Sequence, residues 1–248
     1  MRADVLGLCY HGVAEEAEGL TVDPSRLEQQ IASLLRRGYT SIRASEVAAG
    51  SRARRLIVTF DDGYRSVLEN ALPVLESLDV VATVFVVTDF VGVGVRHRGS
   101  SILTDALSWT DLADLAARGW EIGSHTVSHA RLPSLGDDSL LTELADSKRL
   151  IESELALPCT VLAYPYGMAT AREENGARDV GYVAAFTASR RHGPPNAYRC
   201  PRVGVFQADT PLVFRAKTSP ITRLARRTAV GGGLAGAVSH LRGGVSKA

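Results

Sequence analysis

Runs that read as strands and runs that read as helices follow one another along residues 5–206, and few architectures accept that order. VLGLCY reads as a strand. PSRLEQQIASLLRRG follows as a helix, with Pro24 at its start, Leu27, Ile31, Leu34 and Leu35 on one face, and Gly38 as its stop. RRLIVTF is a strand that ends in the turn DDGY. SVLENALPVLESL is helical, although Pro73 must kink it or mark a boundary, because proline lacks the N–H the helix needs. VVATVFVV is almost continuously apolar, as expected of a strand covered on both faces. The Gly-rich stretch VGVGVRHRGS leads to a helix (SWTDLADLAARG), a strand (WEIGS) and the longest amphipathic helix (LGDDSLLTELADSKRLIESEL). The strand CTVLAYP, a helix through ATAREENGARDVG and the strand YVAAFT complete the series.

Six or seven such repeats argue for parallel strands wrapped by helices. At 248 residues a distorted (β/α) barrel of about seven strands is favoured over an open sheet. The polar residues sharpen this reading. His11, the pair Asp61–Asp62, His125 and the Tyr164–Tyr166 stretch all fall at the C-terminal ends of expected strands. In an α/β barrel those ends share one rim, so residues distant in sequence meet there. From about residue 211 the periodicity fades and GGGLAGA reads as linker, which gives a catalytic domain over 1–210 and a tail over 211–248.

Charge separates the same two parts. The net charge is +1, which excludes a general polyanion binder and argues against nucleic acid as a partner. No acidic residue follows Asp209, whereas seven Lys and Arg do, so residues 1–209 carry the balance of −6. The tail reads either as a solvated end or as a basic amphipathic helix in weak contact with a membrane surface. Cys9, Cys159 and Cys200 lack CxxC spacing and sit among apolar residues, which suits buried free thiols. No basic region followed by a long apolar stretch opens the chain, and no segment reaches the length of a membrane span. The cytoplasm, peripheral to the membrane if the tail binds there, is the expected compartment.

VTFDDGY sets two carboxylates at a strand end, with Gly63 permitting a sharp turn. By itself it could be only a turn. SHTVSH places His125 and His129 at i and i+4, where two imidazoles can face one point. One carboxylate with two imidazoles is the ligand set of an open catalytic divalent site, for which Zn²⁺ is the commonest occupant. The second carboxylate is then free to act as a base.

TFDDGY, SHTVSH and AYPYG, in that order on a βα chain, resemble the polysaccharide deacetylase domain (NodB homology, carbohydrate esterase family 4) over residues 5–206. ENALPVLESL, ATVFVV and LSWTDL add to the likeness. The resemblance implies a distorted barrel with fewer than eight strands and a hydrolase that removes N-acetyl groups from a glycan or glycolipid. It makes Asp61 the general base and gives Asp62, His125 and His129 the metal, Zn²⁺ with Co²⁺ or Ni²⁺ as substitutes. The Tyr166 N–H is its candidate oxyanion donor, and Trp109, Tyr164 and Pro165 are candidates to line a sugar subsite. Core packing is the equal alternative for Trp109. An O-deacetylase, or a non-catalytic carbohydrate-binding relative, is the competing reading.

Two departures matter. The Leu-x-His motif that supplies the acid in many members is absent, and His240 lies beyond the barrel pattern. LCYHGV instead resembles a circularly permuted subgroup, similar to bacterial poly-N-acetylglucosamine deacetylases, with the acid on the first strand. That makes His11 the candidate acid, against a histidine that merely caps a strand. The arginine expected ahead of the Pro-Tyr-Gly stretch is replaced by Ala163 and Tyr164. Arg202, in the apolar run RCPRVGV where an unpaired charge would be costly, is the candidate partner of Asp61, against a surface arginine. His97 and His192 read as loop residues.

Overall fold

A computed structural model describes residues 4–15, 19–48, 53–95, 104–188 and 195–227, with only the backbone of 225–227. His97, His192, His240 and the GGGLAGA stretch lie outside the described residues. The strands are β1 (Val5–Tyr10), β2 (Tyr39–Ser41), β3 (Arg54–Asp61), β4 (Ala82–Val86), β5 (Glu121–Ser124), β6 (Val161–Ala163), β7 (Ala184–Ala188) and β8 (Cys200–Gly204). The helices are α1 (Pro24–Leu35), α2 (Leu72–Ser77), α3 (Trp109–Ala117), α4 (Asp137–Leu155), α5 (Ala171–Asp179), α6 (Pro211–Lys217) and α7 (Pro220–Arg227).

Every strand pairing is parallel, and the sheet closes. β1 pairs with β8 on one side and with β3 on the other, in register from Val5↔Arg55 to Tyr10↔Phe60. β2 stays out of the ring. It pairs with Arg54–Leu56 at the start of β3, while Val58–Asp61 on the same edge of β3 pairs with β4. The result is a seven-stranded (β/α) barrel with β2 as a splint. Its seam is thinnest between β5 and β6, where Ser124↔Leu162 is the one register pair.

The period of two along each strand builds two cores. Leu6, Leu8 and Tyr10 of β1, with Leu56, Val58 and Phe60 of β3, face outward and pack under Leu27, Ile31 and Leu34 of α1. Each such fully buried aliphatic side chain contributes roughly 1.5–3 kcal/mol. The alternate positions Ile57, Phe85, Val161, Ala163 and Phe186 fill the barrel interior. A single helical turn, Ala44–Ala48, stoppers the end where the strands begin. Its Ala44 N–H donates to Thr83 Oγ1 (3.1 Å) and its Ser45 N–H to Glu121 Oε2 (3.1 Å). Below, Arg55 donates to the Glu46 and Val47 carbonyls. The opposite end is left for the site.

Two local expectations resolve. Pro73 sits in the first turn of α2, directly after a π-helical turn (Val67–Ala71), so it marks a boundary. The segment expected to leave the barrel at residue 211 instead begins with two helices packed on it. Phe214 and Thr218 are buried, Lys217 pairs with Asp209 (2.5 Å), and Arg223 donates to the Val5 carbonyl (2.8 Å). One buried aromatic on α6 and a guanidinium on α7 leave too little apolar periodicity for a sequence pattern to register.

Candidate active site

β3 ends in Asp61, which faces the barrel interior. The next two residues turn through left-handed backbone, Asp62 at φ 72° and Gly63 at φ 77°. That turn sends the two neighbouring carboxylates to different partners. Arg202 of β8 grips Asp61 with both arms, Nη1 to Oδ1 at 2.6 Å and Nη2 to Oδ2 at 2.8 Å. The guanidinium also donates to Thr59 Oγ1 (2.8 Å) and lies against Phe85, with 5.2 Å to the ring centroid. Gly7 makes the space for it: a Cβ there would stand 3.1 Å from Arg202 Cγ. Burial alone would push the Asp61 carboxyl up, but Arg202, and then His125, outweigh it and hold the group well below the usual carboxylate range. Asp61 is thus kept ionised inside a buried site.

Asp62 faces three imidazoles. Its Oδ1 lies 3.6 Å from Nε2 of both His125 and His129, and its Oδ2 lies 3.9 Å from His11 Nε2. His125 follows β5 and is buried. Its Nδ1 lies 2.7 Å from the Ala163 carbonyl, so Nδ1–H donates there and Nε2 turns its lone pair toward Asp62. Burial pulls the His125 pKa down against the pull of Asp61, which favours the neutral ring. Burial and then the adjacent Asp61 charge push the Asp62 carboxyl up to about 8, with Arg202 opposing. Lone pairs converging on a buried carboxylate oxygen repel one another unless a cation lies among them. The ligand atoms of Asp62, His125 and His129 lie within 4.8 Å of one another, and the set is one oxygen and two nitrogens. These residues fit a divalent metal with open positions.

The loop that brings the imidazoles together is strained and clamped. Thr126 (φ 73°) and His129 (φ 58°) are both left-handed. Glu143 of α4 accepts the Val127 N–H (2.9 Å), the Ser128 N–H (3.0 Å) and the Ser128 hydroxyl (2.5 Å). His129 in turn packs against the Tyr166 ring, with centroids 4.7 Å apart, and Arg131 covers that ring from 5.0 Å. Tyr166 is itself left-handed (φ 59°) and exposed. Gly167 behind it cannot be replaced, because a Cβ would lie 2.3 Å from the Ala188 backbone nitrogen.

The structure therefore brings together seven of the residues singled out in the sequence: His11, Asp61, Asp62, His125, His129, Tyr166 and Arg202. Arg202 is no surface arginine. Tyr164 and Pro165 need correcting. Both are buried, and Tyr164 is sealed in the outer core with its hydroxyl donating to the Tyr198 carbonyl (3.2 Å), so neither offers a face to a sugar. Trp109 packs partly buried against the outer core at the start of α3. Its segment is tied to the Asp-Asp-Gly turn by Leu107 N–H to the Gly63 carbonyl (2.8 Å). Cys9 is the residue the sequence reading missed. Its thiol donates to Asp61 Oδ2 at 3.2 Å, and burial, the largest influence, raises its pKa far enough to keep that proton in place. Cys9 and Thr59 each stand two residues before a site residue on the same strand face, a spacing that would have flagged them.

A parallel (β/α) barrel thus carries two imidazoles and a carboxylate at one rim, beside an Arg-paired carboxylate. A family model described as polysaccharide deacetylase matches residues 49–185. The chain belongs to the polysaccharide deacetylase family. His11 and Arg202 lie outside the matched span, on the strands that flank it. YxkH of Bacillus subtilis, named for polysaccharide deacetylase, is 27% identical over 186 residues, 73% of this chain and 63% of its own length. This chain thus spans less than two thirds of that relative. Poly-beta-1,6-N-acetyl-D-glucosamine N-deacetylase of Staphylococcus aureus is 23% identical over 210 residues, 78% of this chain and 71% of the relative. Among solved structures, IcaB from Ammonifex degensii superposes with a TM-score of 0.75 at 24% identity, covering 88% of this chain and 98% of that one. The deacetylase PplD of Streptococcus pyogenes, in complex with acetate, gives 0.74 at 21% identity, covering 89% and 100%. At these identities both show the shared fold.

Proposed function

We propose that the protein is a metal-dependent hydrolase that removes N-acetyl groups from an amino-sugar glycan or glycoconjugate. One observation carries this reading: Asp61, held as an anion by Arg202, and His11 both border the Asp62–His125–His129 cluster, which itself fits a divalent cation, with their own ligand atoms within 4.8 Å of each other. A binding module needs no such flanking acceptor and donor. The name of the staphylococcal relative supports an N-acetylated glucosamine polymer as the substrate class.

Amide hydrolysis needs an activated water, a stabilised oxyanion and a protonated leaving group. Zn²⁺ on Asp62, His125 and His129, or Co²⁺ or Ni²⁺ in its place, would polarise the acetyl carbonyl and make the water more acidic. Asp61 accepts the water's proton as its oxygen adds to the carbonyl carbon. The carboxylate stays ionised in its buried setting because Arg202 neutralises it, and Cys9 adds a donor on Oδ2. The Tyr166 N–H, on its rigid left-handed turn, donates to the carbonyl oxygen as negative charge builds there. His11, protonated, gives its proton to the departing nitrogen as the C–N bond breaks, leaving acetate and a free amine. With a side chain 18% exposed, it can reload from solvent.

Acetate release from N-acetylated and O-acetylated oligosaccharides and glycolipids, with added Zn²⁺, Co²⁺ or Ni²⁺, tests the proposal. The expected result is release from the N-acetylated substrates that a chelator stops. Binding without turnover, whichever metal is added, would make this a carbohydrate-binding relative.

A further inference from the structure

Of the two helices at the C-terminal side, α7 docks on the barrel in an inverted sense. α7 is anchored by a cation: Arg223 donates to the Val5 carbonyl and pairs with Asp4, and its second arm reaches the Tyr39 hydroxyl (3.2 Å). At 100° per residue, Leu224 and Ile221 point about 100° and 160° away from that anchor. The four most exposed large apolar side chains among the described residues are Ile221 (80%), Leu212 (77%), Val93 (72%) and Leu224 (64%). Three of those four fall within residues 212–224. On α6 the buried side is Phe214 and Thr218, while Leu212, Arg215 and Ala216 face out. Helices of a soluble domain normally turn aliphatic side chains inward and cations outward. Here guanidinium goes in and leucine and isoleucine go out, which leaves an apolar surface that no described residue covers.

Charge selects the partner. The chain has no acidic residue after Asp209 and seven basic ones; Lys217 pairs with Asp209 and Arg223 with Asp4, and the other five leave the segment with a net positive charge. A second copy, docked face to face, would set like charge against like charge. We propose that the α6–α7 face is a docking surface for an anionic lipid bilayer. Leu212, Ile221 and Leu224 enter the boundary between headgroups and acyl chains, and the cations around them rest among the headgroups. α7 is tied to the start of β1, whereas His11 follows its far end. The α7 end of the face therefore lies about 20 Å from the active site, the length of that strand.

The test is co-sedimentation of the full-length protein with vesicles of pure phosphatidylcholine and with vesicles carrying about 30% phosphatidylglycerol. Binding at least about tenfold stronger to the anionic vesicles is expected, falling severalfold as salt is raised. The triple variant Leu212→Ser, Ile221→Ser, Leu224→Ser should lose about tenfold or more of that binding with an unchanged circular dichroism spectrum. Leu212→Gln alone serves if the triple variant loses its fold. Failure to sediment, equal binding to neutral vesicles, or unchanged binding by a folded variant would overturn the proposal. A dimer in light scattering that the substitutions dissolve would assign the face to a second copy and overturn it equally.

Discussion

Asp61 and Asp62 are covalent neighbours with opposite surroundings, set apart by the left-handed backbone of Asp62 itself. Asp61 keeps the inward direction of β3 and meets Arg202. Asp62 leaves the strand direction and meets the imidazoles. Their identity was legible in the sequence because Asp-Asp-Gly at a strand end occurs together with the His125 and His129 pair; alone it could have been only a turn. Arg202 was legible as a charge that an apolar strand could not bury alone. Cys9 was not, since a cysteine among apolar residues reads as filling, and only the closed barrel brings its Sγ to Asp61. A thiol donating to an ionised carboxylate contributes on the order of 1 kcal/mol, about fivefold in rate. Cys9→Ala should accordingly lower kcat by roughly three- to tenfold with KM unchanged. Cys9→Ser, which keeps a donor, should restore it. A change in KM alone, or no rescue by serine, would reduce Cys9 to packing.

At the scale of elements, the strands and long helices followed from periodicity because each carries enough apolar residues to register. Those missed were short. β2 has three residues, and α6 and α7 dock through a single aromatic or a guanidinium, so no apolar repeat marks them. Tyr164 and Pro165 show a related limit: a motif fixes which residues surround a site, but the strand's alternation decides which of them face it. α4 gives the opposite lesson. It was legible as the longest amphipathic helix, yet nothing in its pattern singled out Glu143. In the fold that carboxylate clamps the loop between His125 and His129. Partners that orient ligands are typically worth 10–100-fold in metal affinity. Glu143→Ala should therefore weaken Zn²⁺ binding by about that factor in a chelator competition, while Glu143→Gln, which retains an acceptor, loses less. Equal affinity in Glu143→Ala would show that the loop holds its shape through backbone contacts alone.

For the whole molecule, closure of the barrel does the chemical work. β1 lies between β8 and β3, so the first strand of the chain, the turn after β3 and the late strand β8 become neighbours. The residue at the tip of the first strand thereby reaches the center built by residues more than fifty positions downstream, with His11 Nε2 3.9 Å from Asp62. That meeting and the barrel itself were anticipated from the βα alternation and from strand ends sharing a rim, whereas the splint and the stopper required the three-dimensional pairing. Under the proposed function the same construction divides labour between the two carboxylates, one to bind the ion and one to take the proton. Metal content and acetate release, measured together on Asp61→Asn and Asp62→Asn, test this division most directly. Asp61→Asn should retain its Zn²⁺ and lose turnover by about a hundredfold or more, whereas Asp62→Asn should lose the metal itself. Full turnover in Asp61→Asn, or undiminished Zn²⁺ in Asp62→Asn, would contradict it.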